Sequence, residues 1–180
     1  FLKVITTVVT VIIVAFLVLV GYLTITEFKP NAVEQLAVEA KGEKTLQIND
    51  SISVLTWNIG YGALGDNADF FMDGGKSSWA KSKESVQEAI KGAGELVASR
   101  EPDFALLQEV DLDSTRSYHV NEYSLLKDTI PAYESVFAQN YDSAFLFYPF
   151  TQPHGSSKSG LALFSKYPVT DSLRRSFPVS

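Results

Sequence analysis

"LTWNIGYG", Leu55 to Gly62, closes an apolar, β-rich run on an asparagine and then on glycines. A strand that stops at a polar amide beside permissive backbone can aim that side chain past the sheet edge at a ligand, or can simply end in a turn. The stretch alone leaves both readings open. The residues on either side of it narrow the choice.

Ile52 to Trp57 is mostly apolar and alternates poorly, as expected of a strand covered on both faces. After it, a loop rich in Gly and Asp runs from Gly60 to Ser78 and contains "MDGGKSS". Its Gly75-Lys76-Ser77 matches the tail of a phosphate loop, but that motif needs glycine where Phe70 stands, so the reading is excluded. From Lys81 to Arg100, Val86, Ala89, Ile90, Ala93, Leu96 and Val97 form one apolar stripe of helical period. Pro102 ends that helix, and "DFALLQEV", Asp103 to Val110, follows as a buried strand with a polar end.

Strand, helix, strand in this order predicts a right-handed crossover that sets the two strands side by side. Asn58 and the pair Gln108 and Glu109 then leave the sheet at one edge, where open α/β sheets hold ligands. A glutamate there is a hard oxygen ligand suited to Mg²⁺, which keeps waters for a substrate phosphate.

The remainder reads as a polar loop from Asp111 to Asn121, a short helix from Glu122 to Ile130, and strands at Tyr133 to Ala138, Ser143 to Tyr148 and Gly160 to Ser165. The aromatics of "FLFYPF" read as filling between sheets in preference to a base-stacking platform. His119 and His154 lie in polar stretches and read as surface or loop residues. Arg116 has two readings, a fork on substrate phosphate or a salt bridge to Asp111 or Asp113. Asp111, Asp113, Thr115 and Glu122 have the spacing of a calcium loop, but Arg116 takes the place of its glycine and excludes it.

From Val4 to Thr26 no charged side chain appears, a run that spans roughly 34 Å as a helix and matches a bilayer core. It is longer than the apolar part of a cleaved signal, so residues 1–26 read as a retained single-pass anchor in a cell membrane. Lys3 favours a cytoplasmic N-terminus, which places the rest outside the cytoplasm. Residues 27–50 read as a polar tether with a first edge strand near Thr45 to Ile48. The formal charge of −6 and pI near 4.9 exclude a basic surface for gripping long nucleic acid nonspecifically. The absence of cysteine fits an exported domain without disulfides.

"TWNIGYG", "PDFALLQEVD" and "SGLALFSKYPV", in that order, resemble the first half of the endonuclease/exonuclease/phosphatase superfamily, with its deoxyribonuclease-I-like fold. The resemblance covers residues 51–180, and "EVDLDSTRS" is similar to membrane-tethered bacterial members. It implies an α+β fold, a four-layer α/β/β/α sandwich, here incomplete and preceded by one transmembrane helix.

The same resemblance implies Mg²⁺-dependent hydrolysis of a phosphodiester or phosphomonoester, with Mn²⁺ as a substitute ion. Asn58 would orient the phosphate and its metal, and Glu109 would ligate the metal. Substrates of the superfamily include nucleic acid, phospholipid headgroups and small phosphoesters, and no protein partner is implied. Its later motifs, an Asp and Asn pair in "GD-x-N" and a terminal Asp-His pair, do not occur before Ser180. The expectation is therefore an N-terminal half, inactive alone, whose uncovered strand faces favour aggregation. The rival is a non-catalytic membrane-tethered binding module of the same fold.

Overall fold

Residues 1–39, 44–66 and 68–177 are described by the computed structural model. Helix α1, Leu2–Thr26, buries no residue against the rest of the chain, and with a mean hydropathy of 2.9 it is long and apolar enough to cross a membrane. Its threonines are compatible with an apolar surround. Thr6, Thr7, Thr10, Thr24 and Thr26 each turn their hydroxyl back onto the carbonyl four residues earlier, which satisfies the donor inside the helix.

The remaining elements are β1 (Val33–Gln35), β2 (Val38–Glu39), β3 (Val54–Asn58), α2 (Lys83–Arg100), β4 (Phe104–Asp111), α3 (Glu122–Thr129), β5 (Glu134–Leu146), β6 (Gly155–Ser165) and β7 (Leu173–Arg175). Five strands form one mixed sheet in the order β2-β5-β6-β4-β3, while β1 pairs with β7 in a separate ribbon. β3 and β4 are parallel and in register from Val54 opposite Phe104 to Asn58 opposite Gln108. This is the adjacency that the strand, helix, strand order predicts.

Helix α2 begins where Ser82 and Ser85 cap each other reciprocally, and it ends at Glu101, which adopts a left-handed conformation ahead of Pro102. Its stripe of Val86, Ile90, Ala93 and Val97 packs with Tyr123, Leu126 and Ile130 from the α3 region. Both lie on the sheet face carrying Ala105, Leu107, Ala162 and Phe164. Gly94 permits the close approach of the two helices, since a Cβ there would stand 2.7 Å from the Thr129 side chain. The opposite sheet face is open: Leu106 and Leu161 are 39% and 43% exposed. The described residues therefore form helices on one side of a sheet in a mixed α+β fold.

Four expectations need correction. The aromatics of "FLFYPF" do not fill a core: Phe145, Tyr148 and Phe150 stand on the β5–β6 hairpin and are 43%, 60% and 79% exposed. No strand occupies Thr45 to Ile48; the edge pairings form earlier, at β1 and β2, where Glu34 binds Arg174 at 2.7 Å and anchors an otherwise polar ribbon. The strands expected at Tyr133 to Ala138 and Ser143 to Tyr148 are one strand, β5, because irregularities after Gln139 and Ser143 absorb the break in alternation without ending the pairing. His154 lies in a loop, as one of its two readings had it, but not on the surface. It is 8% exposed, because the β5–β6 hairpin folds its ring against Phe71 of the long loop, with centroids 6.2 Å apart.

Candidate active site

The register between β4 and β6 shifts between Leu107 and Val110, and at the shift Glu109 takes a left-handed φ of 54°. In an unbroken strand Glu109 would follow Ala105 and Leu107 onto the helix-covered face. The bulge hands that place to Val110, which is fully buried, and turns Glu109 out at the strand end. Local strain thus delivers a carboxylate to the sheet edge.

Asn58, at the end of β3, meets it there. Its Nδ2 donates to Glu109 Oε1 at 2.8 Å, while its Oδ1 accepts the Gly60 amide at 2.9 Å. The turn that permits this is the glycine run, in which Gly60 and Gly62 have φ of 54° and 63° and Tyr61 between them has 43°. The opening stretch therefore ends its strand on an amide that is held at both ends, one end by a carboxylate.

Beneath this pair lies a buried charged network. Arg116 grips Asp111 with Nε to Oδ2 at 3.0 Å and Nη2 to Oδ1 at 2.8 Å, and its guanidinium lies 3.8 Å from the centre of the Tyr61 ring. The salt-bridge reading of Arg116 is thus the observed one, with Asp111 as partner; Asp113 instead contacts His119 on the surface. Ser117 Oγ donates to Asp111 Oδ2 at 2.8 Å, and the Asp111 amide donates to Glu122 Oε2 at 2.8 Å. Glu122 Oε1 is buried with no hydrogen-bond partner among the described residues.

Burial shapes the charge states here. It pushes the Glu122 carboxyl well above the usual carboxylate range, and the nearby Asp111 charge adds to the rise. It also lifts the Tyr61 hydroxyl to about 12 and lowers His154, on which the Arg116 charge acts in the same direction. For Arg116, burial opposes the charge, but the bond to Asp111 outweighs it and the net direction is upward. Arg116 stays a cation, and His154 is a neutral imidazole near pH 7.

The structure brings together Asn58 and Glu109, and places Arg116 against the Tyr61 that follows in the same glycine turn. Among the described residues it brings no three His, Cys, Asp or Glu side chains into an arrangement that could by itself hold a metal ion. Glu109 offers the oxygen chemistry that a hard divalent cation requires, with Oε2 free of the Asn58 bond. Spacing does not announce the network of Tyr61, Asp111, Ser117, Glu122 and His154, since the calcium-loop pattern that includes Asp111 and Glu122 is excluded. The available clue is that Glu122 shares the inward face of its short helix with Leu126, a costly position for a carboxylate without a task.

The family model described as "Endonuclease/Exonuclease/phosphatase family" matches residues 55–179. No curated protein and no solved structure gives a comparable match. The matched span begins in the stretch that ends on Asn58 and includes the bulge at Glu109, so the chain belongs to the endonuclease/exonuclease/phosphatase family, whose members are hydrolases of phosphoesters.

Proposed function

We propose that this chain is part of a membrane-anchored, Mg²⁺-dependent phosphoester hydrolase, with α1 as the anchor and Glu109 as the metal ligand. The observation that carries the reading is the Asn58–Glu109 hydrogen bond at the carboxyl ends of two parallel strands. Asn58 fixes the carboxylate and stands within reach of a phosphate beside it. Arg116 adds positive charge close by, which favours an anionic substrate. A bound magnesium ion would supply the charge that offsets the phosphate oxygens, and Mn²⁺ would substitute.

The open face bearing Leu106 and Leu161 supports a second sheet packing there, which gives the four-layer sandwich. The substrate is a phosphodiester or phosphomonoester, and nucleic acid, a lipid headgroup and a small phosphoester all meet that description. With α1 in a membrane and a cytoplasmic N-terminus, the catalytic domain is extracytoplasmic.

The test compares full-length protein with its Glu109→Ala variant on bis(p-nitrophenyl) phosphate, with and without Mg²⁺. Loss of about 100-fold or more is expected if a ligand to the ion has been removed. Unaltered metal-dependent turnover in the variant would sink the assignment. Metal-independent behaviour and no turnover in either protein would favour the rival, a tethered binding module.

A further inference from the structure

A continuous line of rings leads from the candidate site to the solvent. Tyr61 lies 6.5 Å from Phe70, Phe70 5.0 Å from Phe71, Phe71 5.7 Å from Tyr148, and Tyr148 5.7 Å from Phe150, centroid to centroid. Exposure rises along it, from 1% at Tyr61 to 60% at Tyr148 and 79% at Phe150. Met72, on the facing turn, is 73% exposed. Scattered exposed apolar side chains are ordinary, but two neighbouring loops that present them together form a surface with an occupant.

The register places this patch. β6 runs antiparallel to both β4 and β5, so the β5–β6 hairpin, residues 147–154, lies at the end of the sheet where β4 delivers Glu109. From Phe145 to Ser157 the sequence has no Asp, Glu, Lys or Arg, and the charges that follow Met72 in its turn, Asp73 and Lys76, offset each other.

Two observations select the occupant. The chain carries its own membrane-length helix, and β2 runs antiparallel to β5, so the chain coming from α1 reaches Val38 from the hairpin's direction. Residues 27–37 extend to roughly 36 Å. β5 rises roughly 33 Å from Val136, the partner of Val38, to Leu146 at the hairpin. In length the segment from α1 to β2 matches that rise, with β1 held in extended form against β7 along part of it. Tyrosine, with an apolar ring and a polar end, is a residue of the membrane interface.

We propose that the Tyr148–Phe150 hairpin and Met72 dock into the interfacial layer of the bilayer that holds α1, so that the site opens onto the lipid surface. This rests on the anchoring part of the preceding reading and is independent of the chemistry at Glu109.

These 180 residues contain no cysteine, so each label introduced here is unique within them. Phe150→Cys and Met72→Cys, and Lys91→Cys on the exposed face of α2 as reference, would carry an NBD fluorophore in the full-length chain. The vesicles would be phosphatidylcholine with a minority of phosphatidylglycerol. Labels at 150 and 72 are expected to be quenched by doxyl lipid about twofold or more beyond the label at 91, and to resist aqueous iodide.

A tip as open to iodide as position 91, in a chain that alkaline carbonate does not extract, would overturn this proposal alone. A tip shielded from iodide yet untouched by doxyl lipid would show that protein covers the patch, and would overturn it too. Extraction by carbonate would overturn the anchoring and the docking together.

Discussion

Asn58 Nδ2 donates to Glu109 Oε1 at 2.8 Å from the end of the neighbouring parallel strand, and among the described residues no other side chain donates to that oxygen. A half-buried carboxylate held by one side-chain bond owes its orientation to that bond. Asn58→Ala is therefore expected to weaken Mn²⁺ or Mg²⁺ binding by about 10-fold, in the range seen when a group that orients a metal ligand is lost. Asn58→Asp, which sets two carboxylates together, alters binding through charge as well as geometry and serves as the contrast. Calorimetric titration of both variants checks this, and wild-type affinity in Asn58→Ala would contradict it.

Glu109 is a non-glycine residue at φ 54° in a β-bulge, a conformation that only glycine adopts freely. Glu109→Gly is expected to stabilise the fold by about 1 kcal/mol while abolishing metal binding. Opposite signs for stability and binding are what strain kept for function predicts. A chemical denaturation midpoint that falls in this variant would remove the argument for strain.

The helices, the parallel pair and the two residues at its edge were legible in the sequence because each rests on local periodicity or on a strand end. Val86, Ile90, Ala93 and Val97 announced α2, and Pro102 announced its end. The ribbon of β1 with β7 was not legible, since three-residue strands held by the Glu34–Arg174 pair carry no period to read. Nor was the bulge. Gln108 and Glu109 read as adjacent polar residues, and only pairing with β6 shows which of them leaves the ladder. The burial of His154 in its loop was not legible for a related reason, because its ring packs against Phe71, a residue from a distant loop.

Arg116 and Asp111 form a bidentate pair in which the Asp111 side chain is fully buried and the Arg116 side chain is 13% exposed. Removing one partner strands the other. Arg116→Ala is expected to cost about 3–5 kcal/mol, and Asp111→Asn in the same chain should recover part of that by neutralising the orphaned charge. Arg116→Lys keeps the charge but loses the planar fork and the stacking on Tyr61, so it should fall between wild type and Arg116→Ala. Equal stability for Arg116→Ala and wild type would show that the pair contributes nothing to the fold.

Glu122 titrates inside the fold, and the sign of its effect follows from the direction of its shift. Burial, reinforced by Asp111, raises its folded-state pKa above the unfolded value, so between the two the native state holds a proton that the unfolded chain has released. That contribution to stability is complete below the unfolded value and is lost as pH rises through the folded one. Glu122→Gln keeps an oxygen to accept the Asp111 amide and has nothing to ionise. Its melting temperature should therefore gain on wild type as pH rises from about 4 to about 8, with the gap smallest at the acid end. Thermal melts of both proteins across that range decide the matter. A gap that stays constant with pH would mean that the Glu122 carboxyl does not titrate differently in the folded chain.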